Sequence, residues 1–200
     1  MREPINVSGM VLSASPVGEY DKRVVILTRE LGKITAFARG ARRMKSPLMA
    51  VSNPFVFGEF QVYEGRDSYT LSGANIKEYF LDLAQMQPGV YYGFYFLELA
   101  EYFGQEGNDE TQMLNLLYVT MNAIRRGKQD LRLVRCIFEL RTITISGEAP
   151  QMFSCMECGT KENLTVFSLR DSAIYCPNCG KTIRDPWPLQ PGTVLACRYI

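Results

Sequence analysis

The chain has 200 residues, 46% of them hydrophobic, and a formal net charge of +1, which is ordinary for a globular protein that buries a core. It contains no histidine, which excludes Ser-His and Cys-His nucleophile pairs and histidine general bases. No apolar run is long enough to span a bilayer, and none follows the N-terminus as in a signal peptide. We therefore expect a cytoplasmic protein whose cysteines stay reduced.

The first 80 residues contain short runs that are typical of β-strands. A β-branched run extends from Arg23 to Leu27, and polar and apolar residues partly alternate from Lys33 to Arg39. In a later run, Phe60 and Val62 share one face with Val56. Five such strands between residues 5 and about 76, separated by glycine, predict a five-stranded barrel of the oligonucleotide-binding (OB) type as domain 1–80.

From about residue 81 the apolar residues recur at helical spacing and predict three packed helices. We expect most of the aromatic side chains in the first helix to form core and a minority to line a groove. The helical domain is predicted to comprise residues 81–150 and 186–200. Its last apolar run stops at Ile200, so we expect its final helix to be missing. The three helices are expected at residues 90–103, 111–125 and 131–144.

Four cysteines form a doubled Cys-x-x-Cys-Gly motif between residues 151 and 185. Cys155 and Cys158 are separated from Cys176 and Cys179 by seventeen residues, which is the spacing of a four-cysteine zinc site. The glycine after each pair suits a turn that needs positive φ. Disulfides or reduced core thiols are the alternatives. Four thiolates would close the coordination shell of Zn²⁺, so we expect one structural zinc ion and no catalytic metal.

The two remaining cysteines, Cys136 and Cys197, have no partner nearby in the sequence, and we expect both to be buried thiols. A thioredoxin-like redox site is disfavoured, because it needs a βαβ pattern beside its Cys-x-x-Cys motif and the sequence has none there. The overall fold class is therefore predicted to be α+β and multidomain: an OB barrel, an α-helical bundle and an inserted four-cysteine zinc ribbon.

Charge is distributed unevenly along the chain. No acidic residue lies between Glu30 and Glu59, whereas this stretch carries five basic residues, most of them in the loop from Arg39 to Pro47. Arginine forks match phosphate oxygens, and glycine and serine let backbone amides approach them, so this loop could bind nucleic acid. The alternative is an ordinary solvated surface loop.

The sequence resembles the bacterial RecO family of recombination mediators in three stretches and in the order of its modules. The family implies binding of single- and double-stranded DNA, annealing of complementary strands, and no catalytic centre. The three stretches are Pro16 to Arg23, Thr28 to Lys33, and Ala38 to Arg43. With the basic loop, they give the expected DNA-binding residues Lys22, Arg23, Lys33, Arg39, Arg42, Arg43 and Lys45.

The resemblance also implies two protein partners, RecR and the single-stranded DNA-binding protein SSB. The acidic, apolar-ended tail of SSB would need an apolar pocket with a nearby cation on the helical domain. Arg132 and Arg135 are the candidates for that cation. Their alternative role is a surface ion pair, such as Arg135 with Glu139 at helical spacing.

The leading hypothesis is a DNA-binding mediator that anneals strands and, with RecR, helps to load recombinase on SSB-coated DNA at the bacterial nucleoid. An RNA-binding or ribosome-associated module is the alternative, because barrels and zinc ribbons also bind RNA. An enzyme is the weakest reading, because the chain has no histidine and no glycine-rich phosphate loop.

Overall fold

The computed structural model describes residues 3–200 and divides the chain into two compact units, Met1–Phe138 and Glu139–Ile200. The first unit contains a β-barrel followed by helices, and the second contains the four cysteines. The point of division falls inside a helix. The three-domain division drawn from the sequence is finer than these two units and stays a prediction.

A closed five-stranded barrel forms the first part of unit one, with the strand order β1-β2-β3-β5-β4. Neighbouring strands are antiparallel except β3 and β5, which pair in parallel at Ala36–Tyr69 and Phe37–Thr70. This confirms the OB-like barrel. The strands are β1 (Ile5–Val17), β2 (Asp21–Thr28), β3 (Gly32–Ala38), β4 (Phe57–Glu64) and β5 (Tyr69–Glu78), with the one-turn helix α1 (Leu48–Val51) between β3 and β4.

The barrel closes around an apolar core because its strands turn apolar side chains inward. Every second residue of β3 is buried, as strand geometry requires when one face lies on the core. Phe60 and Val62 of β4 are fully buried, and Val56 just before the strand is buried with them, as predicted. In β2 the run from Val24 to Thr28 is buried throughout, because helices that follow the barrel pack against its outer side.

Three long helices complete unit one, and the last of them continues into unit two. α3 buries one apolar stripe and ends at Gly127, whose φ of 61° is the left-handed conformation common after a helix C-terminus. The three predicted helices are therefore present, each within about two residues of its expected ends. They are α2 (Gly89–Phe103), α3 (Thr111–Arg126) and α4 (Leu131–Ile145), preceded by a short 3-10 helix at Leu81–Gln85.

The aromatic residues of α2 are less buried than the sequence suggested. Phe96 is the one ring of the run from Tyr91 to Phe103 that is fully buried, and Tyr91, Phe94 and Tyr102 are exposed. The expectation that most of these rings form core was wrong. The buried face of α2 includes three small residues, Gly89, Gly93 and Ala100, and a Cβ at Gly93 would lie 3.0 Å from the ring of Phe55. Tyr91, Phe94 and Tyr102 lie outside this buried face.

Unit two holds a three-stranded sheet around its own small core. Its order is β7-β6-β8, with both pairs antiparallel. Residues 186–200, which we expected to join the helices, supply β8 and place Val194 in the core that also contains Cys155 and Cys176. The elements are β6 (Val166–Ser168), β7 (Ala173–Tyr175), α5 (Pro177–Gly180), β8 (Pro186–Pro188) and α6 (Pro191–Tyr199).

Two other sequence expectations concern exposure. Cys136 is exposed on α4, so the prediction that it is a buried thiol was wrong, whereas Cys197 is partly buried. Cys136 follows Arg135 on the outward side of the helix, where the neighbouring positions also meet solvent.

Among residues 3–200, no helix combines the length and apolar character that crossing a bilayer requires.

Candidate nucleic-acid interface and metal centre

The four motif cysteines converge on one point in unit two. The sulfur atoms of Cys155, Cys158, Cys176 and Cys179 all lie within 4.8 Å of one another. The Sγ atoms of Cys158 and Cys176 are 3.9 Å apart. A tetrahedron with metal–sulfur bonds of about 2.3 Å has edges of about 3.8 Å, so this spacing suits a four-thiolate site.

Short turns aim each pair of sulfurs inward. In the first turn the N–H of Gly159 donates to the carbonyl of Cys155 at 2.9 Å, and the φ of Gly159 is 72°, as predicted for a glycine there. In the second turn Gly180 belongs to α5 and needs no positive φ. It is required for another reason: a Cβ there would lie 2.8 Å from the Cβ of Val166 on β6. The prediction of positive φ at both glycines was therefore wrong at Gly180.

The backbone around Cys155 and Cys176 favours the thiolate forms of these two residues. Burial opposes ionisation of Cys155, but N–H groups of the surrounding backbone, including that of Cys158, outweigh it and lower the pKa to about 6. The N–H of Cys179 likewise lowers the pKa of Cys176. Hydrogen bonding to the sulfur of Cys176, together with burial, raises the pKa of Cys179 to about 12. A bound metal ion would favour the thiolate of Cys179 over the thiol that this raised pKa favours.

The basic loop, residues 39–47, is held against the turn that joins β1 and β2. The N–H of Gly40 donates to the carboxylate of Asp21 at 2.7 Å, and the N–H of Arg42 donates to the carbonyl of Tyr20 at 2.8 Å. The guanidinium of Arg42 also donates to the carbonyl of Gly18 at 3.2 Å. These bonds fix the loop backbone while its cationic side chains stay exposed. The exposed cations are Arg39, Arg42, Arg43 and Lys45.

Two further predicted residues lie beside this loop. Lys22 and Arg23 on β2 pair with Ala38 and Phe37 at the end of β3, where the loop begins. The Nζ of Lys22 donates to Asn53 at 2.7 Å. Burial, and to a smaller extent the nearby charge of Arg42, lower the pKa of Lys22.

Lys33 is not brought to the basic loop. It lies six residues before Arg39 along the extended β3, which corresponds to about 20 Å. Its Nζ donates to the backbone carbonyl of Glu101 on α2 at 2.7 Å, and its backbone N–H donates to Gln105. These contacts join β3 to the end of α2.

Arg132 and Arg135 are both exposed on α4. The guanidinium of Arg135 lies 5.4 Å from the ring centroid of Tyr95 on α2, a cation–π contact. Leu133 and Ile137 are exposed on the same helix, and Tyr91 is exposed on α2. Cationic and apolar groups therefore occur together on these two helices.

A second basic feature lies at the end of α3. An open groove of about 840 Å³ has eight lining residues: Tyr118, Val119, Asn122, Ala123, Arg125, Arg126, Lys128 and Gln129. Its charged lining residues are Arg125, Arg126 and Lys128, with no carboxylate among them. These three cations lie within four residues of the sequence, but no periodicity or spacing indicated a groove.

The sequence analysis also missed Tyr20, which lies in the turn that the basic loop contacts. The guanidinium of Arg43 stands 4.9 Å from the centroid of its ring. The available signal was an aromatic residue within the stretch Pro16 to Arg23, two residues before Lys22.

Two family models match the chain. The model described as "Recombination protein O N terminal" matches residues 1–80, which contain the barrel, and "Recombination protein O C terminal" matches residues 89–200. Together they cover the helices and the cysteine cluster as well as the basic loop.

Curated relatives agree with these matches. A DNA repair protein RecO from Alkaliphilus metalliredigens is 36% identical over 88% of this chain and 72% of its own length. One from Bacillus pumilus is 31% identical over 97% of this chain and 75% of its own length. One from Caldicellulosiruptor saccharolyticus is 33% identical over 88% of this chain and 72% of its own length.

Proposed function

Because this chain belongs to the RecO family of DNA repair proteins, we propose that it is a non-enzymatic recombination mediator that binds DNA and anneals complementary strands. With RecR it would help to load recombinase on SSB-coated single strands at the nucleoid, in the bacterial cytoplasm. Its work would be to hold strands together rather than to change a covalent bond.

The observation that carries this proposal is the fixed basic loop on an OB-like barrel. Arg39, Arg42, Arg43 and Lys45 are exposed on a backbone that hydrogen bonds hold to the β1–β2 turn. A cationic surface of this kind binds phosphates without reading bases and releases counterions as it does so. Neutralising two strands lowers their mutual repulsion and lets them pair.

The cysteine quartet would hold one Zn²⁺ in a purely structural role. Cys155, Cys158, Cys176 and Cys179 supply four thiolates, and their spacing and backbone N–H donors suit that ion. A bound zinc ion supplies cross-linking of the two turns. The two cross-linked turns would then position β6 and β7, which share a core with the cysteines.

We propose that the helices bind the SSB tail. A peptide tail that is acidic and ends in apolar residues would pair a carboxylate with Arg132 or Arg135 and bury its apolar end beside exposed rings of α2. This is our proposal for the SSB tail. RecR is proposed as the second partner, without an assigned surface.

The test is an annealing assay with complementary oligonucleotides, run without nucleotide on naked and on SSB-coated strands. We expect acceleration of both reactions, because positioning of strands needs no hydrolysis. The same assay with RNA strands of matched sequence separates a DNA mediator from an RNA-binding module. Failure to accelerate annealing of either DNA substrate would contradict the proposed function.

A further inference from the structure

We propose that Tyr20 is a stacking residue that makes the basic loop select unpaired DNA over duplex DNA. This inference rests on the proposed function, and it adds to it a residue and a reason for preferring single strands. The turn that contains Tyr20 joins β1 and β2, and loops in this position of OB barrels contact oligonucleotides.

The position of the ring supports this role. The side chain of Tyr20 is 41% exposed, so a large aromatic surface reaches solvent. The guanidinium of Arg43 lies over the ring at 4.9 Å from its centroid. A base stacked on the ring would therefore lie close to a cation that can contact the phosphate next to it.

The backbone that carries the ring is also held in place before any ligand arrives. The carbonyl of Tyr20 accepts the N–H of Arg42, and the next residue, Asp21, accepts the N–H of Gly40. These bonds fix the backbone on both sides of the contact, which lowers the entropy lost when a base stacks. Tyr20 thus anchors the loop through its backbone, while its ring contacts Arg43 and stays 41% exposed.

Stacking on an aromatic ring distinguishes single strands from duplexes. In a duplex both faces of a base are covered by its neighbours, whereas an unpaired base can offer one face to a protein ring. Phosphate contacts from Arg42 and Arg43 make no such distinction. Tyr20 would therefore add affinity for single strands alone.

The experiment measures affinity of Tyr20→Ala and Tyr20→Phe for a single strand and a blunt duplex at one salt concentration. We expect Tyr20→Ala to weaken single-strand binding about five- to hundred-fold, with a change below about twofold on the duplex. Tyr20→Phe should retain affinity, because stacking needs the ring and not the hydroxyl. Tyr79→Ala is the matched control, because Tyr79 is similarly exposed at 37% and follows β5.

A second readout does not depend on the loss of affinity. Trp187 is the only tryptophan of the chain, so Tyr20→Trp in a Trp187→Phe background places one fluorophore at the turn. Its emission should be quenched by oligo-dT and little changed by duplex. Equal loss on both substrates with Tyr20→Ala, no loss on either, or no selective quenching would overturn the proposal. The proposed function fails separately, if the wild-type protein does not accelerate annealing of complementary DNA strands.

Discussion

Arg125 on α3 and Glu78 at the end of β5 form an ion pair of 2.9 Å that ties the helices to the barrel. Glu78 also accepts the backbone N–H groups of Tyr79 and Phe80, so one carboxylate organises the exit from the barrel. The guanidinium of Arg125 lies 5.2 Å from the ring centroid of Phe80 and bonds Asn122. The helix face is therefore fixed to the strand by charge, hydrogen bonding and stacking together.

This pair predicts a pH-dependent contribution to the stability of unit one. The hydrogen bond from Arg125 lowers the pKa of Glu78 below its ordinary value of 4.5. The contribution is therefore fully present above pH 4.5 and is lost as the pH falls through the lower folded-state value. Glu78→Gln should lower the free energy of unfolding by about 0.5–1 kcal/mol at neutral pH, since solvent reaches the pair. Urea unfolding measures this loss.

The control is the pair of Glu59 with Lys77, which is 2.8 Å long and about half exposed. Glu59→Gln should change stability less than Glu78→Gln, because the Glu59–Lys77 ion pair joins two strands, β4 and β5, that are already paired. The difference between wild type and Glu78→Gln should shrink in acid. A difference that stays constant at every pH would contradict the role of the carboxylate charge.

The second prediction concerns the core beneath α2. Phe96→Ala should lower the free energy of unfolding by about 3–5 kcal/mol, because Phe96 is fully buried and packs on Phe138 with ring centroids 4.4 Å apart. Tyr102→Ala, in the same helix but 80% exposed, is the control and should cost little. Chemical denaturation of the two variants measures the difference. Equal losses would mean that the aromatic run is buried more evenly than the structure has it.

Much of the fold could be predicted because local patterns agree with it. β3 and α3 each bury one face, and the spacing of apolar residues in the sequence shows which residues belong to that face. The paired cysteines were equally clear, since the spacing of the motif specifies the ligands. The convergence of the basic side chains could be only partly foreseen.

The rest depends on contacts between distant parts of the chain. Lys33 belongs to the same acid-free stretch as Arg42, but it lies near the start of β3 and Arg42 lies beyond its end. The amine of Lys33 instead donates to the carbonyl of Glu101 on α2. The burial of α2 was misjudged because hydrophobicity suggests core, whereas only one face of the helix, which includes Gly93 against Phe55, is buried. The stacking of Arg43 on Tyr20 likewise depends on a loop closing onto a turn.

The third prediction is metal content. Freshly purified, reduced protein should contain one zinc ion per chain, and Cys158→Ser should remove it, because a three-thiolate site binds zinc more weakly. The small core of unit two depends on the cross-linked turns, so the segment 139–200 should become sensitive to protease while the barrel stays resistant. Elemental analysis and limited proteolysis measure these effects.

Cys136→Ser is the matched control for the metal experiment, because Cys136 is an exposed cysteine outside the cluster. It should leave zinc content and protease resistance unchanged. Wild-type protein that contains no zinc, or a chelator that leaves the 139–200 segment resistant, would refute the structural metal.

The fourth prediction tests the basic loop. Replacing Arg42 and Arg43 by alanine should weaken DNA binding about equally for all sequences, because phosphate contacts carry no base information. Each lost contact on single-stranded DNA flattens the dependence of log affinity on log salt by about 0.7, so two contacts give about 1.4. Binding titrations over a range of salt concentrations measure the slope.

The matched control removes the same charge elsewhere, with Lys181→Ala and Arg184→Ala, both exposed in unit two. This variant should keep the wild-type salt slope. If the loop variant keeps it too, the phosphate contacts lie elsewhere, and the groove lined by Arg125, Arg126 and Lys128 becomes the next place to mutate.

The last prediction separates DNA binding from partner recruitment. Changing Arg132 and Arg135 to alanine should leave annealing of naked strands near the wild-type rate, because the loop and barrel that hold DNA are intact. Annealing of SSB-coated strands should slow, because the cations proposed to meet the acidic tail are gone. The loop variant at Arg42 and Arg43 is the complementary control and should slow both reactions. Equal effects of the helix variant on the two substrates, or a requirement for ATP, would contradict this division between barrel and helices.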